Sequence, residues 1–298
     1  MSPLKVDRRT FLETASTVTA ATLLTGRFAW AADEHKLDQI GLELYTVRGE
    51  MKKDFHGTLA QVAAIGYKQV EFAGYFKHTP QQVRDALDKN GLTSPACHVD
   101  WKVLGDNWPA QIESAKVIGQ SYIICPWIPE KIRKQPGGWK LAVDTFNRCG
   151  EASQKAGITF GYHNHWLEFV PEKDGKLPFD FLLDHCAPNL VQFEMDLCWI
   201  TVGGGDPLAY FDRYPGRFPL VHVKDIKKLP QVTSGGPQNF GDELKDMTEV
   251  GSGLIDWKRI FAQSDKAGIK YYIVEHDKPR HPFDSIKTSY EYLRKLSW

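Results

Sequence analysis

An excess of one charge is what this sequence most plainly lacks: Lys plus Arg and Asp plus Glu both number 37. A chain without a net field has no long-range pull on a polyanion or an anionic membrane, so no nucleic-acid partner is expected. Cysteine is sparse, with five residues at 97, 125, 149, 186 and 198 and no C-x-x-C pair. Cys97, Cys125 and Cys198 fall inside strand-like runs where a small buried hydrophobe is at home, so core thiols are expected, with room for one bridge. No G-x-G-x-x-G follows the first strand-like run, which leaves a dinucleotide fold without support, and no Walker-type phosphate loop is evident. The apolar run near the start is short and Thr-rich against the roughly 20 apolar residues of a bilayer span, so no stable membrane span is expected in the mature form.

What is present begins with an address. Asp7-Arg8-Arg9-Thr10-Phe11-Leu12 leads into an uncharged stretch from Ala15 to Gly26, followed by the small-residue site Ala29-Trp30-Ala31. Paired Arg, Phe and Leu in this order, ending on an A-x-A pattern, resemble a twin-arginine export signal. Residues 1–31 are therefore expected to engage the twin-arginine translocation machinery, and the mature protein, from 32 to 298, to be periplasmic or secreted. That pathway moves folded proteins, which suits an enzyme that takes up a metal before leaving the cytoplasm. A chain of 298 residues can bury one large core, and nothing in it speaks against a homo-oligomer.

Beyond the leader, short apolar or β-branched runs alternate with longer amphipathic ones. Strands are predicted at Ile40–Val47, Tyr67–Ala73, Thr93–Val99, Ser121–Trp127, Ile158–His165, Val191–Trp199, Pro219–Lys224 and Lys270–His276. Helical patterns at 55–65, 80–90, 108–118, 139–156, 179–185, 207–213, 257–267 and 283–296 separate and follow them. Gly66, Gly91, Gly119, Gly157 and Gly268 stand just before strands, where αβ loops need a left-handed residue. Strict alternation of eight strand-helix units predicts an α/β protein, a single-domain (β/α)8 TIM barrel. The stretch from Leu229 to Glu249, rich in Gly, Pro and Gln, reads as a long insertion after the seventh strand, a lid or substrate wall.

Barrel active sites form where strands end, and here the endings carry ionisable groups. Glu71 closes strand two, and His98 and Asp100 close strand three. Strand five ends in Tyr162-His163-Asn164-His165-Trp166-Leu167-Glu168, strand six in Glu194-Met195-Asp196-Leu197-Cys198-Trp199, strand seven in His222-Val223-Lys224-Asp225 and strand eight in Val274-Glu275-His276-Asp277. One such residue is usually a paired surface group; six endings on one rim are not. Clustered carboxylates repel unless a cation or shared protons offset their charge, and imidazole beside carboxylate suits manganese, zinc, cobalt or ferrous iron better than calcium. A divalent metal is therefore expected, manganese first.

From Gly41-Leu42-Glu43-Leu44-Tyr45-Thr46-Val47-Arg48 to Glu275, the chain resembles the xylose isomerase-like TIM-barrel superfamily of sugar isomerases and epimerases, which also holds inosose dehydratases, ketose 3-epimerases and endonuclease IV-type proteins. The resemblance implies one metal held by Glu, Asp, His and Glu on strands five to eight. The last three carry over to Asp196, His222 and Glu275. The strand-five Glu does not: Tyr162-His163-Asn164-His165 stands where many relatives have it, and the nearest carboxylate is Glu168; either His163 binds or Glu168 folds back, and Glu168 is the expected ligand since it preserves the charge of the site. The implied reaction removes a proton next to a carbonyl through a metal-stabilised enediolate, giving isomerisation, epimerisation or elimination. Glu168, Glu275, His163 and His165 are the candidate proton carriers, and Glu71, His98, Lys224 and Trp127 the candidate substrate contacts. Export favours free or oxidised carbohydrates such as 3-keto-glycosides or keto-inositols. A noncatalytic periplasmic sugar-binding protein is the alternative, and an endonuclease-like hydrolase is disfavoured by the neutral charge. The segment Val250-Gly251-Ser252-Gly253-Leu254-Ile255-Asp256-Trp257 has two further readings, a close backbone approach to a ligand and a tight turn in which Asp256 caps a helix.

Overall fold

The structure, a computed structural model, describes residues 35–233, 235–237 and 243–298; the leader expected over 1–31 lies outside them. Eight parallel strands form one sheet: β1 (Gly41–Glu43), β2 (Gln69–Glu71), β3 (Ala96–His98), β4 (Tyr122–Cys125), β5 (Thr159–His163), β6 (Val191–Asp196), β7 (Leu220–Val223) and β8 (Tyr271–Val274). The sheet runs β2-β1-β8-β7-β6-β5-β4-β3, and its free edges meet through the parallel bridges Gln69–Thr93 and Phe72–Cys97. His98 N donates to Phe72 O at 2.8 Å across that seam, so the sheet curls into a nearly closed barrel with helices between its strands.

The helices 55–65, 80–90, 108–118 and 207–213 begin and end where the sequence predicts. Thr79 shows why: its hydroxyl accepts from Gln82 N while the Gln82 side chain returns to Thr79 N, and Gly91 ends the same helix at φ +62°. Most predicted strands run a few residues longer than those observed, and two predictions differ in kind. The strand expected to run to Trp199 stops at Asp196, because the Asp196 carboxylate accepts from Cys198 N and Trp199 N and starts a helix over Leu197–Val202. The helix expected over 257–267 is broken into Trp257–Phe261 and Ser264–Ala267. All five cysteines are buried and unbridged, and among the described residues no helix is long and apolar enough to cross a membrane.

Side chains alternate about each strand, so one set fills the barrel and the other packs on the helices. Outward residues such as Val70, Ile123, Phe160, Tyr162, Phe193 and Val221 belong to the main core. Inside, Ala96, Tyr122, Ile124, Leu220 and Ile273 form an apolar plug, and Gly161 makes room for it, since a Cβ there would meet Ile124 Cδ1 at 2.4 Å. Above the plug, toward the strand ends, the inward positions turn ionisable. Register sets them side by side: Glu43 opposite Glu71, His163 opposite Glu194, Asp196 opposite His222.

Part of the insertion after β7 folds back on the barrel. Asp225–Ile226 pairs antiparallel with Met247–Thr248, and Val232–Thr233 pairs with Gly236–Pro237, whose Gly236 lies so close to Trp166 that a Cβ would meet the ring at 2.6 Å. The two glycines of the 250–257 segment do approach a ligand, and it is the chain's own Asp225. Its carboxylate accepts from Gly251 N (2.9 Å), Gly253 N (3.2 Å), Ile255 N (3.3 Å) and Trp257 Nε1 (3.1 Å), while Asp256 caps the next helix through Arg259 N. Asp225→Ala leaves these donors, the buried Trp257 indole among them, without their acceptor, so chemical denaturation should show a loss of about 1–3 kcal/mol; Asp225→Asn, which keeps one acceptor oxygen, should lose less.

Candidate active and metal site

The ionisable layer converges on one volume. Ligand atoms of Asp196, His222 and Glu275 all lie within 4.8 Å of one another, as do those of two overlapping groups, His98, His163, Glu194 and His222, and Glu43, Glu71, His98 and His222. His222, fully buried on β7, links them: its Nδ1 meets Glu275 Oε2 at 2.7 Å, and its Nε2 meets Glu71 Oε2 at 2.8 Å and Glu194 Oε2 at 3.2 Å. His163 Nε2 stands 3.7 Å from Asp196 Oδ2. The structure thus brings Asp196, His222 and Glu275 together, with His163 beside them.

Lys224, also buried, places its ammonium among three carboxylates, 3.0 Å from Asp196 Oδ2, 2.8 Å from Glu275 Oε2 and 3.2 Å from Asp277 Oδ2. Burial would lower its pKa, but Asp196, Asp277 and Glu275 outweigh that and hold it well above the ordinary lysine value. For Glu275, burial pushes upward, yet Lys224 and the hydrogen bond from His222 hold it well below the carboxylate range. Glu194 is likewise held low against burial by His222 and His98, and His222 is held high against burial by Glu194 and Glu275. Burial dominates elsewhere: it pushes Glu43 well up, Glu71 to about 8 and Asp277 to about 6, and it pushes His163 down to about 4 and His165 well down. The cluster therefore separates into ionised and neutral carboxyl groups around two fixed cations.

This separation has a readable consequence in metal-free protein. Glu71 holds its proton up to about 8 in the folded chain against 4.5 ordinarily, so raising the pH between those values makes unfolding release a proton. Stability then falls by up to about 1.4 kcal/mol per pH unit from this group alone. Glu71→Gln removes the term, and the difference in melting temperature between variant and wild type should move in favour of the variant from pH 5 to pH 8.

The donors fit a divalent cation. Asp196 Oδ2, Glu194 Oε1 and Glu71 Oε1 are buried oxygens without a hydrogen bond; Asp196 Oδ2 is near Lys224 Nζ but makes no well-directed bond to it. Two imidazoles and two carboxylates from β5, β6, β7 and the end of β8 supply nitrogen and oxygen together, the mixture that manganese, zinc, cobalt and ferrous iron accept.

Glu168 does not join them. It is buried, with Oε1 taken by Tyr162 OH at 2.5 Å and Oε2 by His165 N at 2.8 Å, so both oxygens serve to close the turn after β5. Tyr162 points out of the barrel and draws Glu168 with it, whereas His163, next in the strand, points in. Strand parity thus sets His163, and not Glu168, beside Asp196 and His222. His165 lines the cavity above the cluster, its Nδ1 buried without a hydrogen bond and its ring edge-on to Trp127 at 5.2 Å. That cavity, about 370 Å³, is lined by His98, His163, His165, Lys224, Glu275 and Asp277 below and by Tyr45, Trp101 and Trp127 above. Trp127 is 41% exposed, with the Arg133 guanidinium 5.1 Å from its ring centre. Of the expected substrate contacts, His98, Lys224 and Trp127 face the cavity, while Glu71 lies beneath it against His222.

Three participants were not selected from the sequence: Glu43, Glu194 and Asp277. Glu194 and Asp277 were open to detection by parity, since Glu194 stands two residues before Asp196 and Asp277 two after Glu275.

A parallel eight-stranded barrel with an imidazole-carboxylate cluster at its strand ends defines a TIM-barrel protein with an enzyme-like centre. The chain belongs to the xylose isomerase-like TIM barrel family, whose sequence pattern it matches over residues 59–296. It is 26% identical over 269 residues to the inosose dehydratase of Geobacillus kaustophilus (strain HTA426), covering 80% of this chain and 86% of that one; the inosose dehydratase of Geobacillus thermodenitrificans (strain NG80-2) is matched over about half its length. A crystal structure of a sugar phosphate isomerase/epimerase from Parabacteroides distasonis ATCC 8503 superposes with a TM-score of 0.71 at 27% identity, over 87% of this chain and 98% of that one. The IOLI protein, solved with a bound zinc atom, shares the fold at 14% identity and a TM-score of 0.65, over 85% of this chain and 95% of that one.

Proposed function

We propose that this protein is a divalent-metal-dependent sugar isomerase, epimerase or keto-sugar lyase that removes a proton next to a carbonyl, acting on free or oxidised (3-keto) sugars or glycosides. The observation that carries the reading is the convergence of Asp196, His222 and Glu275, with His163 beside them, at the floor of an aromatic-walled cavity of sugar size. The likeness to inosose dehydratase and to a sugar phosphate isomerase/epimerase supports it. We include in the proposal the twin-arginine leader and a periplasmic or secreted mature enzyme.

His163, Asp196, His222 and Glu275 would hold the cation. When bound there, it supplies Lewis-acid polarisation of a keto-sugar's carbonyl and neighbouring hydroxyl. Trp127 and Trp101 offer flat apolar surface to a sugar ring and keep water from the floor. Lys224 holds Asp196 and Glu275 in place and faces the cavity, so its ammonium would also meet a substrate oxygen. The proton acceptor is His165. Glu168 is consumed by Tyr162, Glu275 by His222 and Lys224, and His163 Nδ1 by Glu194, which leaves His165, whose ring lines the cavity and whose Nδ1 makes no hydrogen bond. The carbon-bound proton passes to His165; delivery of a proton to the opposite face of the same carbon is epimerisation, and delivery to the neighbouring carbon, with the hydroxyl proton moving to the former carbonyl oxygen, is isomerisation. Loss of a β-oxygen, with the proton going to the departing group, is dehydration or glycoside elimination.

A panel of 3-keto-glycosides and keto-inositols incubated in deuterated solvent tests this. Deuterium should enter the recovered sugar or an unsaturated product, and His165→Ala should slow that entry by about 10²- to 10⁴-fold. Saturable binding of these sugars with no exchange at all would mark the protein as a noncatalytic binder.

A further inference from the structure

We propose that Glu194 is a positioning residue that fixes the tautomers of His163 and His222, turning one lone pair of each toward the cation position. The inference rests on the metal-dependent reading above and deepens it.

Glu194 stands on β6 two residues before Asp196, fully buried on the same inward face. A single oxygen, Oε2, gathers three imidazole nitrogens: His98 Nε2 at 2.7 Å, His163 Nδ1 at 3.0 Å and His222 Nε2 at 3.2 Å. An ionised carboxylate only accepts, so each of these nitrogens must carry a hydrogen. His163, which burial keeps neutral, has one N–H, so its opposite nitrogen, Nε2, presents a bare lone pair; His222, a cation in the metal-free protein, would present one at Nδ1 once an incoming metal displaces the proton it shares with Glu275. Those are the two nitrogens that face Asp196 Oδ2, at 3.7 Å, and Glu275 Oε2, at 2.7 Å. In the other tautomer each ring would aim a hydrogen at the place a cation must occupy.

The rings are also fixed in orientation. His98 stacks on His222 with centroids 5.3 Å apart and planes 11° apart, and His163 meets His222 edge-on at 4.5 Å. Glu71 adds a second acceptor for His222 Nε2 at 2.8 Å, whereas the bond recorded for His163 Nδ1 is to Glu194. Loss of Glu194 should therefore release His163 more than His222. Carboxylates placed behind metal-binding imidazoles typically change metal affinity 10- to 100-fold. Two such imidazoles governed by one oxygen make Glu194 the position where a conservative change should have the largest effect on binding without removing a ligand.

The test compares wild type and Glu194→Gln, stripped of metal and titrated with Co(II), following both affinity and the visible d–d spectrum. The proposal expects weaker binding by about 10- to 100-fold in the variant and an altered spectrum, with the melting temperature of the metal-free protein kept within a few degrees. A variant with wild-type affinity and spectrum overturns it, as does evidence that Glu194 itself bonds to the cobalt. A second measurement needs no variant: nitrogen-15 shifts of zinc-loaded wild type should show His163 protonated on Nδ1 and His222 on Nε2, and the opposite tautomers would overturn the proposal even if Glu194→Gln does not fold. Wild type that binds neither Co(II) nor Zn(II) is a distinct result; it removes the metal reading itself and this inference with it.

Discussion

His222→Ala should yield a folded protein that no longer retains a divalent cation through desalting and whose proton-exchange rate on a keto-sugar falls by about three orders of magnitude or more. His222 is the one side chain shared by every ligand group in the cluster, and its two nitrogens join Glu275 on one side to Glu71 and Glu194 on the other. Its loss removes a ligand and also unties the carboxylates it separates. Elemental analysis after metal loading, run beside the deuterium assay, checks both halves. A variant that keeps stoichiometric metal would show that the cation sits elsewhere, and one that keeps wild-type exchange without metal would show that the chemistry does not need it.

The second large effect concerns stability. Lys224→Met removes a buried ammonium that lies within 3.2 Å of Asp196, Glu275 and Asp277. Breaking a buried ion pair by deleting one partner costs about 3–5 kcal/mol, because the remaining charge stays buried and uncompensated. Metal-free Lys224→Met should lose stability on that scale in a denaturant titration. A divalent cation repays part of the missing charge, so metal should raise the melting temperature of the variant by more than it raises that of wild type. A loss below about 1 kcal/mol would mean that the buried carboxylates do not depend on the Lys224 ammonium for their charge balance.

The barrel was legible in the sequence because its signals are local. The glycine ends at Gly91 and Gly119 belong to short stretches that fold the same way wherever they sit, and eight such units in alternation leave few topologies. Asp196 shows where local reading fails. Leu197-Cys198-Trp199 continues an apolar run that reads as strand, and only the cap made by Asp196 turns it into helix. The same residue closes a strand, starts a helix and offers Oδ2 to the site, and apolar periodicity registers none of the three.

The site was legible in part, along one direction only. Strand ends single out ionisable residues, and they led to Asp196, His222 and Glu275. Depth within the barrel is set by parity and register, and so Glu194, paired with His163 across β5 and β6, went unselected. Glu168 is the converse case. Counting carboxylates favoured it, but whether a side chain reaches the barrel axis depends on what else can hold it, and Tyr162, facing outward, holds Glu168 at 2.5 Å. No spacing in the sequence reveals that a tyrosine on the outer face of a strand will draw a carboxylate away from the inner one.

The most direct measurement is anomalous scattering from crystals of the protein loaded with cobalt or zinc. One peak is expected, bonded to His163 Nε2, Asp196 Oδ2, His222 Nδ1 and Glu275, with Glu168 still hydrogen-bonded to Tyr162. A peak bonded to Glu168 would contradict the ligand set, and loaded crystals with no cation between Asp196, His222 and Glu275 would contradict the proposal of a metal-dependent catalyst.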